Sequence, residues 1–173
     1  MLKLENITVL FDDLKALDHV NMEFMEGKIT GIIGTNGSGK STLMKVMTKL
    51  LKPQEGSVYL DQQLIQDKKK DLFAYRQEVN MVFQNPEQQL FYTIAKDDIG
   101  MALENLGYSK EECDKRVQEA IELMDIKELQ DRPVQYLSYG QKKKVAIAGM
   151  LALKPRFLLL DEPTAGLDPK GRD

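Results

Sequence analysis

The segment that decides the fold starts at Ile29-Thr30-Gly31-Ile32-Ile33, continues through Gly34-Thr35-Asn36-Gly37-Ser38-Gly39-Lys40-Ser41-Thr42, and closes with Leu43, Met44, Met47, Leu50 and Leu51. Its first part is a short apolar run ending at a glycine and predicts a buried strand. Its last part places apolar residues at helical spacing and predicts a helix over 40–51. Between them, Gly34 to Ser41 fits G-x-x-x-x-G-K-[ST] at every fixed position. The glycines let the backbone turn tightly and bring N–H groups close to phosphate oxygens. The start of the following helix adds partial positive charge. Lys40 would reach β- and γ-phosphates, and Ser41 would hold Mg²⁺ through its hydroxyl. Strand, loop and helix together predict nucleotide binding. Alone they do not choose between an ATPase, a GTPase and a kinase.

Outward from this segment, strands and helices alternate. Residues 2–10 alternate apolar and polar, with a slip between Leu4 and Ile7 that reads as a bulge, and 20–25 alternate again. Pro53 and Gly56 punctuate the chain before short strands at 57–60 and 79–83. Lys68-Lys69-Lys70 reads as a solvated helix start. From Thr93 the pattern turns helical. Ser109-Lys110-Glu111-Glu112 has capping-box form ahead of a helix over 110–124, whose inner face would carry Cys113, Val117, Ala120, Ile121 and Met124. Ser138 would cap a further helix reaching Leu153, and 157–160 is a fully apolar strand. This order predicts an α/β layer with residues 85–153 as a helical insertion. The last strand ends in Asp161-Glu162, at the carboxyl edge where α/β sheets bind ligands. Asp161 would bind Mg²⁺ directly or through water. Glu162 would orient or deprotonate an attacking water, a role that contributes about 10²–10⁴ in rate.

Composition narrows the function class. The 173 residues carry 24 Lys and Arg against 27 Asp and Glu, a net charge of −3. That balance argues against strong nonspecific binding to nucleic acid. The apolar share of 42% is enough to offset the entropy of ordering. Cys113 is the single cysteine, so neither an internal disulfide nor a Cys-based zinc site is expected, and a reducing compartment fits. No apolar run approaches the roughly 18 residues of a membrane span, and the first five residues lack the form of a signal peptide.

Leu137-Ser138-Tyr139-Gly140-Gln141 closely resembles the LSGGQ signature of ATP-binding cassette (ABC) proteins, with tyrosine in the third position. Other pieces stand in that family's order. Gln84 resembles the Q-loop glutamine, 165–168 (Ala-Gly-Leu-Asp) the D-loop, and Phe11 the aromatic that stacks on adenine. Residues 82–91, 137–149 and 162–169 are similar to the ATPase subunits of energy-coupling factor (ECF) importers, the cobalt- and nickel-import type included. One departure is Lys144, where that subfamily commonly has arginine: the charge stays but the planar fork is lost.

The resemblance implies a P-loop NTPase fold, a RecA-like core sheet plus antiparallel strands, with an inserted helical subdomain. The core would be 1–84 and 154–173, and the subdomain 85–153. It implies ATP and Mg²⁺ as ligands. Lys40, Glu162 and Gln84 would be catalytic, and Ser41, Gln84 and Asp161 would attend the metal. Residues 34–42, Phe11, Ser138, Gly140, Gln141 and Asp168 would contact nucleotide. The signature would serve the γ-phosphate held by an opposite subunit, in a head-to-tail dimer with an identical or paralogous ATPase. A transmembrane coupling component and a substrate-binding membrane component would complete an importer of a metal ion or vitamin, with this subunit peripheral on the cytoplasmic face. The family pattern continues beyond Asp168 with a helix, a core strand and a switch histidine. The only histidine here, His19, precedes the phosphate loop, so a C-terminally truncated chain is expected. The alternative function is a nucleotide-binding module without turnover. A soluble ABC ATPase acting on DNA or ribosomes is disfavoured, because neither long heptads nor a basic footprint is present.

Overall fold

Alternation at the amino terminus builds a sheet. In the computed structural model, which describes residues 1–165, β1 (Leu2–Phe11) pairs antiparallel with β2 (Leu14–Phe24) across a turn in which Asp12 has φ +50°. The slip in alternation is a bulge: register shifts between Leu4 and Ile7, and Asn6 adopts φ +53°. β3 (Glu55–Leu60) pairs with the other edge of β1, and β4 (Gln63–Leu64) extends the sheet, giving the order β2-β1-β3-β4. Leu2, Leu4, Ile7 and Val9 of β1 are buried, as are Leu17, Phe24 and Val58. The Gln54 amide extends the ladder, accepting from the Leu10 N–H and donating to its carbonyl.

The chain divides into two compact units, Met1–Met81 and Val82–Asp173. In the first, α1 (Lys40–Met47) buries Leu43, Val46 and Met47. Helix α2 (Lys69–Glu78) begins inside the lysine run. Its buried Tyr75 hydroxyl donates to the Met47 carbonyl, and Arg76 donates to the Lys49 carbonyl at 2.8 Å. These contacts satisfy carbonyls at and just beyond the end of α1, which no later turn can reach. β5 (Val79–Val82) ends this unit and opens the next.

The expected strand over 29–33 is absent. Ile29 and Ile33 are fully exposed, at 105% and 97%, and no ladder among the described residues includes this run. A strand needs a neighbouring chain to accept its N–H and C=O groups. The described residues provide none here.

The second unit is mainly helical. α3 (Ala95–Asn105), α4 (Lys110–Leu123) and α5 (Tyr139–Ala152) share one core that includes Ile99, Leu103, Ile121, Ile126, Leu129, Val145 and Ala148. Cys113 is buried on the inner face of α4, and burial raises its thiol pKa. Only half of the expected capping box at Ser109 forms. Its hydroxyl accepts the Glu112 N–H at 3.3 Å, but the Glu112 carboxylate takes the Arg116 guanidinium at 2.6 Å instead. A charge-assisted bond one turn along outcompetes the cap. β6 (Phe157–Leu160) matches its expected bounds. Among the described residues, no helix is long and apolar enough to cross a membrane.

Candidate functional site

The phosphate loop lies in the first unit. Gly37 and Gly39 have φ +82° and +89°, left-handed values that glycine adopts at little cost. At Gly39 there is also no room: a Cβ would stand 2.5 Å from the Ala16 carbonyl oxygen of β2. The loop therefore seats the start of α1 against the β1–β2 hairpin. Phe11 stands at the turn of that hairpin, half exposed. Gly39 occupies the cap position of α1, and no side chain caps the helix. Its first N–H groups are thus available to an anion. Lys40 folds back over the loop, its Nζ donating to the Gly34 and Thr35 carbonyls, both at 2.9 Å. Ser41 and Thr42 follow on the first turn.

The carboxylates lie in the second unit. Asp161 is buried, and its N–H donates to the Val82 carbonyl at 3.0 Å. Glu162 turns away from the strand at φ +47°, and its carbonyl accepts the Ala165 N–H at 3.1 Å. The structure brings Gln84 and Glu162 together: Gln84 Nε2 donates to Glu162 Oε2 at 2.7 Å. The signature forms the start of α5. Ser138 Oγ accepts the Gln141 N–H at 3.3 Å while Gln141 Oε1 accepts the Ser138 N–H at 2.9 Å, a reciprocal capping box. The Gln141 side chain therefore serves its own helix. The N–H groups of Tyr139 and Gly140, in the first turn, have no preceding carbonyl to reach. Asp168 lies outside the described residues.

Sequence reasoning missed three residues here. Lys143 is fully buried, and its Nζ donates to the carbonyls of Gln84 (2.9 Å), Glu162 (2.8 Å) and Asp161 (3.5 Å). The Tyr139 hydroxyl donates to the same Gln84 carbonyl at 2.8 Å. Asp98 accepts the N–H groups of Phe91 and Tyr92. The one available signal for Lys143 was helix phase, since it stands one turn before the buried Ala146.

Within the first unit, the phosphate loop fits the phosphates of a nucleotide. The uncapped helix start and left-handed glycines suit phosphate oxygens. Among the described residues, no three His, Cys, Asp or Glu side chains converge on a metal position. The Ser41 hydroxyl and the Asp161 carboxylate are hard oxygen donors of the kind Mg²⁺ takes in ones and twos beside phosphates and water.

A P-loop, a strand-end carboxylate pair and a signature helix define an ABC cassette, and the family model for ABC transporters matches residues 17–165. The chain belongs to the ABC transporter family. It is 47% identical to the cobalt import ATP-binding protein CbiO of Salmonella paratyphi A, covering 99% of this chain and 64% of that one. It is 46% identical to the energy-coupling factor transporter ATP-binding protein EcfA2 of Caldanaerobacter subterraneus subsp. tengcongensis, over 99% of this chain and 62% of that one. The chain thus spans under two thirds of the length of these relatives. A dimeric post-hydrolysis structure of the cassette MJ0796 bound to ADP and Pi superposes with TM-score 0.89 at 32% identity, covering 99% of this chain and 78% of that one.

Proposed function

We propose that this chain binds and hydrolyses ATP as the energising subunit of an ECF-type importer of a metal ion or vitamin. The observation that carries the reading is the meeting of Gln84 and Glu162 at the end of an apolar strand, in a chain with a complete phosphate loop. Lys40 and the loop N–H groups would bind the β- and γ-phosphates. Ser41, Asp161 and Gln84 would attend Mg²⁺, which supplies charge neutralisation on the phosphates when bound. Glu162 would take the proton of the attacking water, and Gln84 would hold that carboxylate until water and metal displace it. Phe11 would stack on the base. Residues 1–84 and 154–173 would form the nucleotide-binding core, with 85–153 as the helical subdomain. Two ATPase subunits would pair head to tail, so that Ser138, Gly140, Gln141 and Asp168 of one face the nucleotide of the other. The pair would sit peripherally on the cytoplasmic face against membrane components that carry the substrate. The likeness to CbiO and EcfA2 supports the importer type, and the dimeric cassette with ADP and Pi supports the pairing.

Glu162→Gln tests the chemistry. ATP binding should persist while hydrolysis falls by about 10²-fold or more, the worth of a positioned base. Steady-state ATPase rates and nucleotide titration on the complete protein measure both. Equal hydrolysis in parent and variant removes Glu162 from the mechanism. Binding without any turnover in the parent favours the regulatory module.

A further inference from the structure

We propose that Lys143 is a positioning residue for the hydrolytic carboxylate: with Tyr139 it fastens the main chain of Gln84 and Glu162 at the start of helix α5. This rests on the ATPase reading above. An ammonium with no solvent exposure is an expensive way to fill a core, because an apolar side chain of similar volume avoids the desolvation penalty. What the charge gains is convergence. It gathers carbonyl oxygens from two separate segments, Gln84 on one and Asp161-Glu162 on the other. Two of these carbonyls belong to the two residues whose side chains meet at 2.7 Å.

Glu162 has φ +47°, a left-handed value that a non-glycine residue holds only when its surroundings fix it. The Lys143 ammonium at 2.8 Å and the Ala165 N–H at 3.1 Å share its carbonyl. Tyr139 stands four residues before Lys143, on the same helix face, and its hydroxyl takes the Gln84 carbonyl from the signature itself. Burial pushes the Lys143 ammonium pKa down, opposed by the carboxylates of Asp161 and then Glu162. The site holds a charge against its solvation cost, and the compensation comes from the groups it positions.

The test uses the complete protein assembled with its partner ATPase. Lys143→Met keeps the volume and removes the charge and the donors. The expected result is a fall in kcat of about tenfold or more with KM and nucleotide affinity within about twofold, because the affected interaction acts only during reaction. Lys143→Arg, which still donates, should recover part of the rate. The deciding readout is the double variant. In a Glu162→Gln background, Lys143→Met should cause no further loss of single-turnover rate, since its effect runs through that carboxylate. Multiplying losses, an unchanged kcat, or a defect confined to nucleotide affinity each overturns the proposal. If Lys143→Met does not fold, Tyr139→Phe removes only the hydroxyl of a side chain that is 41% exposed. It should lower kcat a few-fold at constant KM in the parent and not at all beside Glu162→Gln, and an unchanged kcat overturns the proposal. A parent whose turnover is insensitive to Lys40→Ala overturns the ATPase reading and the positioning role together. Lys40-dependent turnover with contrary Lys143 results overturns the positioning role alone.

Discussion

Asp98, in the first turn of α3, is buried, and its Oδ1 accepts the N–H groups of Phe91 at 2.6 Å and Tyr92 at 2.7 Å. Burial raises its carboxyl pKa above the ordinary 3.8, and the two N–H groups only partly oppose that. A carboxyl whose folded pKa is raised takes up a proton on folding. Its contribution is fully present below the unfolded value and is lost as pH rises through the folded one. Asp98→Asn keeps a neutral acceptor in place and removes this dependence. It should be at least as stable as the parent at pH 7, with the advantage shrinking toward pH 4. Asp98→Ala should cost about 1–3 kcal/mol, because the two N–H groups lose their acceptor. Urea melts at both pH values read the difference. The candidate residues for nucleotide chemistry were legible because phosphate and metal would dictate their spacing: Lys40 and Ser41 open α1 after the glycine loop, and Asp161 and Glu162 follow β6. Lys143 was not. In the run Lys142-Lys143-Lys144 a cation reads as solvated, and helix phase alone is too weak a signal to override that reading without the carbonyls that meet Lys143 in three dimensions.

Helices were read to within a residue or two at 110–123 and 139–152, because a periodic apolar face is a property of the segment itself. The run at 29–33 shows the limit of that reasoning. Its apolar character describes what it can bury, whereas strand identity depends on a partner ladder, and the described residues supply none. The pairing of β1 and β3 depends instead on Gly56. It has φ +91°, and a Cβ there would lie 2.3 Å from the Asn6 carbonyl oxygen at the β1 bulge. Gly56→Ala combines backbone strain with a backbone clash and should cost about 3 kcal/mol or more. Gly27 also has positive φ, at +71°, but open space around it. Gly27→Ala should therefore cost only about 1–2 kcal/mol, the conformational part alone. Thermal melts of the pair separate strain from clash. Similar losses would mean that the sheet yields at the bulge.

At the scale of the whole molecule, the phosphate loop and the signature belong to different active sites if two copies pair head to tail, and the same site if one copy suffices. The two arrangements predict opposite outcomes for a mixture. Lys40→Ala removes the ammonium proposed to bind phosphate. Gly140→Asp puts a negative charge at the start of α5, where an acidic residue suits the helix but repels a phosphate. Each variant alone should be inactive. In a symmetric dimer with composite sites, a mixed pair contains one site with both defects and one with neither. Equal mixing should therefore restore up to about a quarter of the parental ATPase rate, since half of the pairs are mixed and each has one of two sites intact. If one chain completes its own site, every site in the mixture carries a defect and no activity returns. Because each variant leaves the other's motif untouched, recovery on mixing would locate the reaction between copies without requiring the dimer to be trapped.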